Sequence, residues 1–325
     1  MTPRNYYFFP CSPTLLCIFG FWLLTNSVFA SDRLFIKVLA NPTYSGNLTA
    51  LAKQDDSILA VGEYGAGVVW DGKADKVDSF AISLPELLTG VKIQQDGNIL
   101  AYGHAGVIYQ CVRPPAVWKQ VYQYDNQIDP ILSIEEVGTD LIAVGAYGLF
   151  LRSQDRGHTW HKEEHLNLEN PDFGFPHFYQ ISMLNHRLWL VGEAGLVASS
   201  NDNGQSWQVE PLGYDGSMFS VAQWNGTIYI AGLRGSLYKQ QEQGWVSIDT
   251  PFTNSIFKLL AVDDALYALG ADGLIAKMVN GKFLFGYLDT GVSISDALIV
   301  GDSQLVLATT GGLLTVELNE VAANE

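Results

Sequence analysis

The stretch LIAVGAYGLFLRSQDRGHTW, Leu141 to Trp160, decides the fold. It holds two short apolar runs, LIAVG and GLFLRS, rich in Leu, Ile, Val and Phe and bounded by turn residues, which is the pattern of β-strands. Gly145 and Gly148 bracket the turn between them, where a positive φ is cheap for glycine. A second turn follows from Ser153 to Trp160, of the form S-x-D-x-G-x-x-W. Its Asp is expected to accept hydrogen bonds from N–H groups just ahead of it, its Gly to complete the reversal, and its Trp to bury a large apolar face against the neighbouring unit.

The unit recurs. Leu188 to Trp207, LWLVGEAGLVASSNDNGQSW, repeats both turns, so the two boxes comprise Ser153, Asp155, Gly157 and Trp160, and Ser200, Asp202, Gly204 and Trp207. The first turn alone, an apolar run and then G-x-x-G, stands at Gly62/Gly65, Gly103/Gly106, Gly145/Gly148, Gly192/Gly195, Gly232/Gly235 and Gly270/Gly273. A seventh copy, LVLATTGGLL, keeps Gly312 with Thr309 in the first position. A period of about 40 residues with several short strands in each indicates a β-propeller. Each repeat parses as four strands, as in NLTALAK, SILAVG, GVVWDG and DSFAIS of the first. The last repeat, from near Val292, ends after its third strand, LLTVEL, while RLFIKVLA (Arg33 to Ala40) stands alone ahead of the first. The prediction is an all-β, seven-bladed propeller of four-stranded antiparallel blades, its last blade closed by that N-terminal strand.

Residues 1–30 read as a secretory signal peptide: one base, Arg4, then the apolar core TLLCIFGFWLL and the small-x-small site Val28-Phe29-Ala30. The rival reading is an uncleaved anchor. Residues 31–325 read as a single domain, with no linker or charge block. The chain has a formal net charge of −16, to which residues 1–30 add only Arg4. That disfavours nucleic acid and anionic lipid as partners. Cys11 and Cys17 fall in the leader, so residues 31–325 hold a single cysteine, Cys111, which rules out an internal disulfide, and stability must come from the core.

S-x-D-x-G-x-x-W is the Asp-box of BNR repeats. Joined to the upstream apolar-V-G-x-x-G turn, LIAVGAYGLFLRSQDRGHTW and LWLVGEAGLVASSNDNGQSW resemble the Ycf48/Hcf136-like family of photosystem II assembly factors. The other repeats keep the Gly turn without the box, with Gly244-Trp245 as a remnant. The resemblance implies an exported propeller, periplasmic in a bacterium, that assists assembly of a membrane protein complex without chemistry. It implies either a photosystem-type partner or an exporter of the resistance-nodulation-division (RND) type.

Antiparallel blades put the G-x-x-G turns and the blade-linking loops on one face, and the first-to-second-strand turns and Asp-boxes on the other. The first face is then expected to bind the partner through Glu63, Tyr64, His104, Tyr147, Glu193, Arg234 and Asp272. Phe173 and Phe175 join them, from the long loop LNLENPDFGFPHFY, because large apolar loop residues mark contact sites. Phe178 and Tyr179 are read as core. The Asp-boxes are read as structural. Glu63, His104 and Glu193 come from different blades, with no metal-ligand spacing, so neither metal nor cofactor is expected.

Two function classes compete. A monomeric binding scaffold fits the ring of loops and the lack of a G-x-S-x-G elbow or Gly-rich phosphate loop. A carbohydrate-binding or glycoside hydrolase propeller of sialidase type shares the Asp-box. A sialidase needs an arginine clamp for a carboxylate, however, and only Arg234 falls in the G-x-x-G ring. Glu63 and Glu193 are its remaining carboxylate pair.

Overall fold

A computed structural model describes residues 34–40, 46–72, 76–82, 86–112, 117–123, 129–300 and 304–320. The signal-peptide reading of residues 1–30 lies outside these, as do Arg33 and Arg113. The chain forms seven four-stranded antiparallel sheets. Blade 3 shows the pattern: Ile131–Val137 is innermost, followed outward by Asp140–Gly145, Phe150–Ser153 and His161–Lys162. The other inner strands are Leu48–Gln54, Leu88–Ile93, Phe178–Leu184, Met218–Trp224, Ile256–Val262 and Ile294–Val300. In blade 7 the outer strand is the N-terminal one. Leu34–Ala40 pairs antiparallel with Gly312–Glu320, from Leu34 opposite Glu320 to Ala40 opposite Thr315. The predicted closure is therefore observed. Among the described residues no helix is long and apolar enough to cross a membrane.

The core lies between blades rather than inside them. Each of seven apolar clusters joins two adjacent blades: Ile142, Val144 and Phe150 of blade 3 meet Phe178, Leu190 and Ala198 of blade 4. Ala60 and Val68 of blade 1 meet Val306 and Ala308 of blade 7. The second strands are covered on both faces, which is why SILAVG and DLIAVG read as unbroken apolar runs rather than alternating ones.

Aromatic pairs extend these interfaces outward. Trp160 of blade 3 lies against Tyr122 of blade 2, Trp207 against Phe150, and Trp245 against Trp189. Trp118 stacks on Phe80 of blade 1 at 5.9 Å. The Asp-box Trp position thus persists in blades 2 and 5, where the box itself is lost. Trp245 was legible as a remnant, but Trp118 lacked any flanking motif.

Each inner strand leaves one edge unpaired towards the central channel, and in every blade its pairing with the second strand slips near the start. Thr49, Thr89, Leu132, Tyr179, Phe219, Phe257 and Ser295 are left out of the ladder. Such a bulge re-aims a side chain, and all seven line one channel cavity of about 300 Å³. The residue after the bulge reaches across to the next blade. Val221 N–H donates to Gln180 Oε1 (2.9 Å), Leu259 N–H to Ser220 Oγ (3.0 Å) and Leu51 N–H to Asp296 Oδ2 (2.9 Å). Blade 2 has Gly90 here. A Cβ on it would sit 2.2 Å from the Tyr102 ring, so the glycine admits Tyr102, whose hydroxyl accepts from Ile134 N–H at 3.3 Å. Blade 6 has Lys258, which has no acceptor to offer. It pairs instead with Asp296 at 2.7 Å, and Asp296 accepts Ala297 N–H. Exposed edge groups are thereby satisfied by side chains, as buried backbone requires.

A chain beginning at Asn41 exposes the edge of Gly312–Glu320 and removes Leu34 and Ile36 from the interface of blades 6 and 7. Loss of the buried Leu34 alone is expected to cost about 2–5 kcal/mol. The urea midpoint should fall well below that of a chain beginning at Ser31. An unchanged midpoint would mean that blade 7 stands on three strands.

Candidate functional site

The G-x-x-G turns differ in mechanism from the sequence reading. The first glycine is extended, with φ −167° at Gly145, and the left-handed residues are Gly148 (φ 72°) and Tyr147 (φ 52°) between them. Gly145 is required for another reason. A Cβ there would lie 2.1 Å from the carbonyl oxygen of Pro130, in the segment linking blade 2 to blade 3. The close approach lets Ala146 N–H donate to that oxygen at 3.0 Å. The same bond recurs from Glu63 to Asn47, His104 to Leu87, Glu193 to His177, Leu233 to Ser217 and Ala271 to Ser255. Blade 7 keeps it from Thr310 to Ser293, and its buried Thr309 bonds Gly312 O at 2.8 Å. Turns and blade-linking segments therefore share one face and are fixed to each other by backbone.

The predicted contact residues divide into two groups on this face. Glu63 and Glu193 turn back to the linkers. Glu63 accepts from Asn47 Nδ2 at 2.9 Å and Glu193 from His177 N–H at 3.2 Å. Asp272 accepts from Asn254 Nδ2 at 2.9 Å, and Asn254 in turn accepts from the Tyr287 hydroxyl. Tyr64 and Tyr147, at the left-handed positions, project outward and are 74% and 66% exposed. His104 and Arg234 are exposed, and among the described residues Arg234 forms no ion pair.

In the long loop Phe173 is exposed, whereas Phe175 is partly buried, packed on Gly148 and the cluster between blades 3 and 4. Phe178 is core. Tyr179 is not: the bulge turns it into the channel, where burial still pushes its phenol pKa up. His177 joins the two regions. It accepts Tyr147 N–H on Nδ1 at 3.1 Å, and its ring lies 4.5 Å from Tyr147 and 6.2 Å from Tyr179. Tyr179 continues to Phe219 at 5.0 Å and Phe219 to Phe257 at 5.5 Å. The sequence reading missed Phe219 and Phe257; a bulge of this kind leaves no period-two signal, and only the shared register of the seven inner strands marks the position.

On the opposite face both Asp-boxes share the Ser–Asp–Gly bonding and differ at the Trp, since the buried Trp207 Nε1 lacks the partner that Trp160 Nε1 has. In blade 3, Asp155 Oδ1 accepts from Thr159 N–H and Ser153 Oγ (both 2.8 Å), and Oδ2 from Thr159 Oγ1 at 2.6 Å. Gly157 N–H donates to Ser153 Oγ, and Trp160 Nε1 to Gly157 O. In blade 4 Asp202 bonds Ser206 and Ser200 alike, and Gly204 N–H donates to Ser200 Oγ. The Thr159 bonds first, and the Ser206 bonds in the second box, hold the carboxyls well below the usual range, at about 2.

The arginines of this region are engaged. Arg152 bonds Glu163 at 2.7 Å, lies 3.4 Å from Asp140, and donates to the Asn203 and Gly204 carbonyls of the next box. In blade 4 the same three positions hold Arg187, Ser199 and Glu210, with Arg187 paired to Glu210 at 2.9 Å and lying over the Trp189 ring. The node persists while its cation moves from the third strand to the second. Arg156 pairs with Asp96 at 3.0 Å. Among the described residues no group of three or more His, Cys, Asp or Glu is placed to hold a metal ion.

The family model described as "Photosynthesis system II assembly factor YCF48" matches residues 118–216, from Trp118 through both Asp-box blades. A curated relative, "Photosystem II stability/assembly factor HCF136, chloroplastic" of Oryza sativa subsp. japonica, is 24% identical over 192 residues, 53% of this chain; the match spans 44% of that relative's length. The solved structure of YCF48 from Cyanidioschyzon merolae superposes with a TM-score of 0.69 at 13% identity, covering 87% of this chain and 98% of that one. One described as "YCF48 bound to D1 peptide" gives 0.69 at 10% identity, over 89% and 97% of the two chains. A streptogramin B lyase gives 0.74 at 14%, over 89% and 99%. At such identities the structural likeness establishes the fold and no activity. Together with the family match over residues 118–216, it bears out the resemblance read from the two Asp-box units.

Two measurements check this geometry. Gly145→Ala should cost about 1–3 kcal/mol by urea unfolding, because its methyl meets the Pro130 carbonyl; a neutral result would refute the close-approach account. The Asp155 carboxyl should titrate near 2 by carbon NMR, and move up in Thr159→Val, which removes the hydroxyl bond. Because the folded pKa is depressed, the stability it contributes is present above the ordinary value near 4 and is lost as pH falls through about 2.

Proposed function

We propose that this Ycf48-like Asp-box propeller is a non-enzymatic extracytoplasmic scaffold, exported by residues 1–30, that binds a component of a membrane protein complex during assembly. The observation that carries the reading is the division of labour on the G-x-x-G face. Its turns are locked to the linkers by backbone bonds, and Glu63, Glu193 and Asp272 serve as acceptors that steady the same segments. What remains free to meet a partner is a set of exposed side chains, Tyr64, Tyr147, His104, Arg234 and Phe173. Rigidly mounted aromatics of this kind suit protein recognition, since little freedom is lost on binding.

The relatives support the same direction. The rice protein's name gives it a stability and assembly role in photosystem II, and one structural neighbour carries a D1 peptide. A photosystem-type partner has these two counterparts in its support. Against a sialidase-like reaction stands the engagement of Arg152, Arg156 and Arg187 in ion pairs on the Asp-box face, away from the G-x-x-G ring. Periplasm is the proposed compartment in a bacterial host.

The test is in-cell crosslinking from a photo-reactive residue at Tyr147, with a control at Gln205 on the Asp-box face. Tyr147 should capture an integral membrane protein identified by mass spectrometry, and Gln205 should not. Equal capture from both positions, or none from Tyr147, would overturn the scaffold reading.

A further inference from the structure

The channel mouth is asymmetric. Around the ring of bulge residues, blades 3 to 6 contribute Leu132, Tyr179, Phe219 and Phe257, whereas blades 7, 1 and 2 contribute Ser295, Thr49 and Thr89. Tyr179, Phe219 and Phe257 continue outward through His177 to the exposed Tyr147, so an unbroken aromatic track runs from the surface into the channel. Successive rings are inclined by 53–69°, which makes a pleated wall with gaps between rings rather than a flat stacking platform. Such a wall suits separate apolar side chains better than a sugar ring.

Charge identifies what carries those side chains. None of the seven segments that precede the inner strands contains a Lys or Arg, from NPTYSGN before blade 1 to LDTGVS before blade 7. They do contain acids, among them Glu86, Asp129, Asp172, Asp215, Asp249 and Asp289. Arg234 is the single Lys or Arg in the G-x-x-G turns. Deeper in the channel the charges are already matched, Lys92 with Glu135 at 3.0 Å and Lys258 with Asp296 at 2.7 Å. The mouth is therefore apolar on one side and neutral below, and the linkers of its face carry acids with no Lys or Arg among them.

We propose that this mouth binds a flexible, basic segment of a partner protein, whose apolar or aromatic side chains seat along Tyr147, Tyr179, Phe219 and Phe257 while its Lys or Arg side chains meet the acidic rim. The proposal rests on the scaffold reading and specifies the chemistry of the partner at that face. An acidic peptide is repelled by the rim, and so are nucleic acid and an anionic lipid surface.

Fluorescence anisotropy with three labelled synthetic peptides tests it on the mature chain. One alternates Lys with Leu and Phe, the second replaces every Lys by Glu, and the third replaces every Leu and Phe by Ser. Only the first should bind, and its affinity should fall as salt is raised. Phe219→Ala and Tyr147→Ser should each weaken it about tenfold, with Gln205→Ala unchanged. Tyr147 is exposed, so its variant tests the track even where Phe219→Ala perturbs folding. Binding of the acidic peptide as tightly as the basic one, no binding by any peptide, or indifference to both aromatic variants would overturn the proposal. If Tyr147 captures a membrane protein in cells while the basic peptide fails, the partner chemistry is wrong and the scaffold stands. If the peptide binds and the in-cell capture fails, the reverse holds.

Discussion

The pairing of Leu34–Ala40 with Gly312–Glu320 is the contact on which the rest depends. No blade contains its own core, because every apolar cluster lies between two blades, so each sheet is stable only with neighbours on both sides. A linear array of such units has two unburied faces. A ring has none, but a ring made from one chain needs a strand that joins its ends. Blade 7 supplies it by taking three strands from one terminus and one from the other. The unpaired groups that remain lie around the channel, and side chains reaching from blade to blade satisfy several of them.

Closure also explains why the two faces differ. On the Asp-box face, polar side chains do the fixing: Asp155 and Asp202 gather N–H and hydroxyl donors, and Arg152 ties blade 3 to the box of blade 4. Those side chains are spent on structure. On the other face the fixing is done by main chain, through the carbonyl under each first glycine, which leaves the side chains of the turn free to project. The left-handed backbone at Tyr64, Tyr147 and Arg234 goes with exposed side chains, whereas Asp272, in the same conformation, bonds Asn254 of the linker. A propeller held this way exposes side chains on one face without loosening its own framework.

Much of this was legible in order along the chain. The glycine repeat gave seven blades, the incomplete last repeat and the lone RLFIKVLA gave the closure, and the box residues gave the bonding of the far face. Less legible were features that depend on a neighbour in space. Phe175 reads as a loop aromatic but packs on Gly148. Trp118 has no motif around it, yet occupies the slot of Trp160 and Trp207. Tyr179 reads as the second residue of a strand, and a bulge sends it into the channel.

The sequence by itself determined the repeat, the strand count and the ends that meet, because these follow from spacing and apolar pattern, which are properties of the chain read in one dimension. Only the tertiary structure decided which side chains are free. Whether Glu193 bonds a linker and whether Arg187 is already paired are set by how the strands of one blade fold against each other, and whether Tyr179, Phe219 and Phe257 form one track by which blade stands beside which. The physical reason is that every one of these contacts joins residues on different strands, linkers or blades, which local pattern never brings together.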